Sequence, residues 1–140
     1  MSSMIFEATI PVSWGDCDPA GIIFYPNHFR FFDAVFQRFL QRVGANQALF
    51  RDRFGAIGLG LLETSARFLS PVENGDLLTL TMTGLDWKAR TLRVDYHGTC
   101  DGRDVIEGHE LRGLFVRKDG RLRAAELAPL RALLEDMTAR

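Results

Sequence analysis

The sequence predicts an α+β domain in which one long helix packs against an antiparallel sheet. Three observations lead there. The apolar pattern runs strand, long helix, then four strands. The turns between those strands are too short for parallel pairing, which needs crossovers of a dozen residues or more. The helix carries an apolar face too broad and too aromatic for one resting on a surface. The chain of 140 residues is one domain's worth, 1–140, and its 11 phenylalanines ask for an aromatic core or interface.

In order, residues 5–14 alternate with the period of a strand, with Phe6, Ala8, Ile10, Val12 and Trp14 on one side. Pro11 lacks an N–H, so this strand belongs at an edge or carries a bulge. Residues 15–21 are turn chemistry, rich in Asp and Gly around Pro19. A helix starts near Pro26, where the missing N–H costs nothing, and runs to about Val43 with Gly44 as its stop. Phe29, Phe32, Val35, Phe36, Phe39, Leu40 and Val43 share one face at 100° per residue, and Phe31 widens it. A short helix over 47–54 follows. Strands are expected over 59–69, 78–83, 92–97 and 105–117. Asp101-Gly102 is a strong two-residue hairpin signal, and Asp119-Gly120 gives another candidate. Residues 125–137 read as a short amphipathic helix.

Composition narrows the function. Seventeen basic residues against 18 acidic ones give a net charge of -1, without the basic excess of a nucleic-acid footprint. No apolar run approaches a membrane span. Residues 1–7 lack a basic stretch followed by an apolar one, so no secretory signal is expected. Cys17 and Cys100 form no disulfide framework, which suits a cytoplasmic setting.

The segment most suited to chemistry is 14–26. It sets two carboxylates, Asp16 and Asp18, in a constrained turn just before a helix start. A helix start leaves N–H groups unpaired and carries partial positive charge, so it can polarise a carbonyl. A carboxylate beside it can attack that carbonyl or activate water. Capping of the turn is the commoner role for such aspartates. Cys17 lies between two acids, which disfavour its thiolate, and is better read as a packing residue. Asp33 borders the apolar helix face, as a boundary carboxylate or as a group touching a polar part of a ligand. Glu63 reads as solvent-facing. His28, His97 and His109 match no metal spacing and read as surface or interface residues. No metal or redox cofactor is implied.

Gly15-Asp16-Cys17-Asp18-Pro19-Ala20-Gly21-Ile22, then Phe24-Tyr25-Pro26-Asn27 and Arg30-Phe31-Phe32-Asp33-Ala34, resemble the 4-hydroxybenzoyl-CoA thioesterase family of hotdog-fold enzymes. The likeness continues more weakly through Trp87 and Leu122-Arg123-Ala124. It implies a long central helix wrapped by a curved sheet of about five antiparallel strands. It also implies a homodimer, often a homotetramer, with active sites between subunits, and hydrolysis of a small aryl- or acyl-CoA. By the resemblance Asp18 is the nucleophile or general base, and the Tyr25 N–H polarises the thioester carbonyl. Gly21 belongs to the same loop. Phe24 stands where a Trp is found in near relatives. Asp33 and Leu59 fall at the acyl pocket, and Lys88, Arg90 and Arg123 at the coenzyme A phosphates. Leu59 replaces a small polar residue, which argues against a phenolic hydroxyl on the substrate. A non-catalytic acyl-CoA or acyl-carrier-protein binding module of the same fold is the competing reading. A hotdog dehydratase ranks last, for want of a placed catalytic His.

Overall fold

The computed structural model describes residues 4–139, so residues 1–3 of the stretch read for a leader lie outside it. The elements are β1 (Phe6–Pro11), α1 (Pro26–Arg42), α2 (Gln47–Phe54), β2 (Ala56–Phe68), β3 (Leu77–Trp87), β4 (Leu92–Cys100), β5 (Arg103–Lys118), β6 (Arg121–Ala125) and α3 (Ala128–Thr138). Five strands form the path β1-β3-β4-β5-β2, and β6 pairs with β5 beyond the end of β4. All pairings are antiparallel. This is the hotdog architecture, with α1 held by a curled sheet.

Several boundaries differ from the sequence reading, each for a local reason. The first strand ends at Pro11, because Trp14–Asp16 close into a single 3-10 turn. Strand β1 does lie at an edge, as Pro11 requires. Residues 121–125 become a sixth strand, so the last helix begins at Ala128 rather than 125. Both Asp-Gly pairs form their hairpins, with φ of 50° at Asp101, 75° at Gly102, 52° at Asp119 and 76° at Gly120. Positive φ at both central residues is the twist-matched two-residue turn.

Helix α1 buries Phe31, Phe32, Val35, Phe36, Phe39 and Leu40. Full burial of each such side chain is worth roughly 1.5–3 kcal/mol, so this face dominates the core. Phe29 and Val43 are half-buried at its margins. Phe32 stacks flat on Tyr96 of β4, with centroids 4.5 Å apart. Gly108 of β5, paired with Tyr96, makes room for it. A Cβ there would lie 2.8 Å from the Phe32 ring and 2.5 Å from the Ser65 carbonyl oxygen. Register shifts at Met82/Gly84, Gly98/Thr99 and Leu61/Glu63 bend the strands around the helix.

Gly108→Ala should therefore cost about 1–3 kcal/mol through overpacking. Thermal unfolding of the two proteins side by side checks this, and an unchanged Tm would contradict the packing described.

Candidate functional site

The loop before α1 is built from backbone bonds that its sequence favours. Asp16 Oδ2 accepts from the Ser13 N–H and from Ser13 Oγ, both at 3.0 Å. Asp16 is therefore a turn cap, the ordinary role for Asp here. Its carbonyl accepts from the Phe24 N–H at 3.0 Å and from Asn27 Nδ2 at 2.8 Å, which clasps the loop to the first turn of the helix. Asp18 starts a tight turn closed by Gly21 N–H to the Asp18 carbonyl at 2.9 Å. Gly21 has φ 83°, the left-handed value that favours glycine.

Asp18 itself is half-buried, and its Oδ1 accepts from the Ala20 N–H at 2.8 Å. Among the described residues Oδ2 has no partner. The Tyr25 N–H also has none, although the neighbouring N–H groups of Phe24, Asn27 and His28 are all bonded. A free carboxylate oxygen thus shares one loop with a free donor at the positive end of a 17-residue helix. The Phe24 and Tyr25 rings pack edge to face at 5.5 Å and are largely exposed, so they form an open apolar rim.

Asp33 is two turns along α1, with 49% of its side chain exposed. Leu59, by contrast, is buried. A cavity of about 210 Å³ lies between α1, α2 and β2, lined by Gln37, Gln47, Phe50, Leu59 and Phe115 among others. Gln37 Nε2 is 3.5 Å from Asp33 Oδ1. A larger hollow of about 760 Å³ opens on the outer sheet face among Arg67, Thr81, Arg93, His97 and His109, away from the loop before α1. It is walled by paired polar side chains, including the Arg67–Glu107 ion pair at 3.1 Å and a hydrogen bond between His109 and Glu63 at 3.0 Å. Glu63 is solvent-facing, as its place in the strand pattern implies.

The basic residues gather elsewhere. Arg90 Nη1 donates to the Ala124 carbonyl at 2.8 Å, which brings the turn carrying Lys88 and Arg90 beside the strand carrying Arg123. Lys88 and Arg90 also face Asp86 and Glu126 at 3.6 and 3.8 Å. This cluster follows the end of β3, whereas the Asp18 loop is stitched to residues 72–74 just before its start. The 11 residues of β3 separate the two by about 33 Å of strand. Within one chain, the acid and the basic residues do not converge.

Two groups escaped the sequence reading. His28, read as a surface or interface residue, is buried within the chain, its Nδ1 without a partner among the described residues and its ring 5.3 Å from Phe68. Burial lowers its pKa from 6.5 to about 4. Glu110 and Arg112 are also buried, beneath Asp33. Their signal was available: Ile106, Gly108, Glu110, Arg112 and Leu114 alternate along β5, so two opposite charges sit on an otherwise apolar inner face. Cys17 is half-buried, and burial with Asp16 and Asp18 pushes its thiol up. Among the described residues no three His, Cys, Asp or Glu side chains gather as metal ligands, and no helix is long and apolar enough to cross a membrane.

Since the folded state disfavours the His28 proton, unfolding gains a proton as pH falls below 6.5. Stability should drop by on the order of 2 kcal/mol between pH 6.5 and about 4 from this residue. His28→Phe should flatten that part of the curve in urea melts taken across the range.

Residues 12–136 match the thioesterase-like superfamily. The chain is 30% identical over 125 residues to 4-hydroxybenzoyl-CoA thioesterase of Pseudomonas sp. (strain CBS-3), covering 83% of this chain and 86% of that protein. It is 28% identical over 130 residues to 1,4-dihydroxy-2-naphthoyl-CoA hydrolase of Synechococcus sp. (strain WH7803), covering 89% and 84%. The solved structure of the Pseudomonas enzyme superposes with a TM-score of 0.81 at 25% identity, over 94% of this chain and 99% of that one.

Proposed function

This chain belongs to the thioesterase-like superfamily and is a hydrolase of the acyl-CoA thioesterase type, and from that premise we propose that it cleaves a small aryl- or acyl-CoA to the free acid and coenzyme A. The observation that carries the proposal is the pairing of unsatisfied groups in one loop, the free oxygen of Asp18 and the free N–H of Tyr25. In this reading the thioester carbonyl oxygen accepts from Tyr25 N–H at the start of α1. Developing negative charge there meets the positive end of the helix. Asp18 Oδ2 then attacks the carbonyl carbon, forming a mixed anhydride that water cleaves to the free acid once the thiolate has left, or it takes a proton from a water that attacks in its place. The carbon–sulfur bond breaks and the coenzyme A thiolate departs. Gly21 keeps the turn tight, and Phe24 offers an apolar wall to the acyl group.

The separation of Asp18 from Lys88, Arg90 and Arg123 favours a site shared by two copies. Strand β2 is a 13-residue edge with one side unpaired. Exposed Ile57, Leu61, Leu62 and Phe68 lie along it, an aggregation hazard unless it is covered. At its end, Phe68 packs near His28 and Phe29 by the helix start. At its beginning, Ala56 pairs with Val116, which pairs with Arg123 on the other side. A twofold axis across two antiparallel β2 strands brings one copy's Asp18 loop toward the other's basic cluster. The cations then hold the phosphates of coenzyme A while the acyl end reaches the partner's helix start.

Asp18→Asn should keep the fold and lose about 10²–10⁴ in kcat against a panel of CoA thioesters. Release of free thiol reads this out, and full activity in the variant would remove Asp18 from the mechanism. Sedimentation should give a particle of at least twice the 15.8 kDa of one chain. Leu61→Lys should shift it toward the monomer and lower turnover together. A monomeric, fully active variant would exclude the shared site.

A further inference from the structure

We propose that the cavity of about 210 Å³ between α1, α2 and β2 is a terminal chamber for an unbranched apolar acyl tail, delivered to it by the Asp18 loop of a second copy. The inference rests on the thioesterase reading above and deepens it by naming the acyl class.

The chamber is built and held open by the residues around it. Its inner wall is apolar, with Leu40, Phe50 and Leu59 all buried. Strand β2 puts no side chain into it from Gly58 or Gly60. A Cβ at Gly60 would overlap the Phe115 ring, and one at Gly58 would meet the Gln47 amide at 3.4 Å. The wall at Leu59 is fixed, because buried Arg112 donates from Nη1 to the Leu59 carbonyl at 2.8 Å. The same guanidinium forks onto both Glu110 oxygens at 3.0 and 2.9 Å and reaches Asp33 Oδ1 at 2.8 Å, so it is itself held in place. On the opposite side Gln47 donates to the Ile57 carbonyl, which ties the start of α2 to β2.

This lining selects an apolar tail. The carbonyls of Leu59 and Ile57 are engaged by Arg112 and Gln47, and Gln37 Nε2 faces Asp33 Oδ1 at 3.5 Å. A polar or charged tail end would lose its water there without a matching partner, whereas methylene groups gain by leaving water. An apolar cavity of about 150 Å³ takes benzene, so this one takes about eight carbons.

Strand direction gives the route of delivery. Gln37 stands twelve residues beyond Tyr25, about 18 Å along α1, so the chain's own helix start is remote from the chamber. Exposed Ile57 lines the chamber on the unpaired edge of β2. When two β2 strands run antiparallel across a twofold axis, the start of one, with its chamber, lies beside the end of the other. At that end Phe68 meets His28 and Phe29 in the first turn of α1. A thioester held by the Tyr25 N–H of one copy then extends its tail into the chamber of the other.

The test is a series of straight-chain acyl-CoA thioesters from acetyl to tetradecanoyl, read as kcat/KM. Beside it stand calorimetric affinities for S-alkyl-CoA thioethers of the same lengths, which cannot be hydrolysed. Both should rise about fourfold for each methylene that enters the chamber, then level off. A carboxylate at the tail end should remove the gain. Leu59→Phe adds about three side-chain carbons and should bring the plateau forward by about as many, whereas Phe115→Leu should delay it equally. If Leu59→Phe fails to fold, Phe115→Leu decides. Turnover and affinity that do not rise with tail length overturn the inference alone, and so does a plateau that neither folded variant moves. Thioether affinities that rise with length while no thioester is cleaved uphold the chamber and sink the thioesterase reading.

Discussion

Phe32, Val35, Phe36 and Leu40 are buried almost completely between α1 and the sheet, and this contact fixes where the start of α1 stands. Close-packed interiors do not slide continuously, so a helix gripped along this face has one axis and one height. Its first turn is then a fixed point in space. The free Tyr25 N–H is placed by that packing rather than by the loop that contains it. The sheet cooperates by giving way at Gly108, where the Phe32 ring meets backbone instead of a side chain.

The loop with Asp18 is anchored in the core by Ile23, with Cys17 packed against that core. Polar links tie both its ends, the Asp16 carbonyl to the helix turn and residues 21–23 to residues 72–74. Asp16 and Asp18 look alike in sequence but divide the labour. Asp16 spends Oδ2 on capping Ser13, whereas Asp18 spends Oδ1 on its own turn and keeps Oδ2 free. The role proposed for Asp18 needs such partial commitment, because an oxygen fully engaged by the protein has nothing to offer a substrate.

The Glu110–Arg112 pair is poorly explained as a stabilising device. Removing two charges from water costs several kcal/mol each before their attraction offsets it, and apolar residues of equal volume often do as well. What the pair offers is direction, since a forked guanidinium fixes whatever else it touches. The exposed pairs on the outer sheet face differ in kind. Arg67 with Glu107 is an ion pair screened by water that contributes little, and Glu63 with His109 is a half-exposed hydrogen bond. They keep that face wet and paired.

The sequence by itself determined the helix, the antiparallel strands, the hairpins and the loop with Asp18. Each rests on local rules: periodicity, proline and glycine geometry, and capping act within a few residues. It also carried the family resemblance, because the loop motif is contiguous. Only the tertiary structure decided that Asp16 caps while Asp18 stays partly free, that His28 is buried, and that Arg112 reaches Asp33 across 79 positions. Those outcomes depend on which strand faces pack against α1, and strand register is a property of pairing between distant segments. The same long-range pairing leaves β2 at an edge and sets Asp18 far from Arg90 and Arg123. No run of neighbouring residues encodes that distance, since it is measured along a strand that contains none of them.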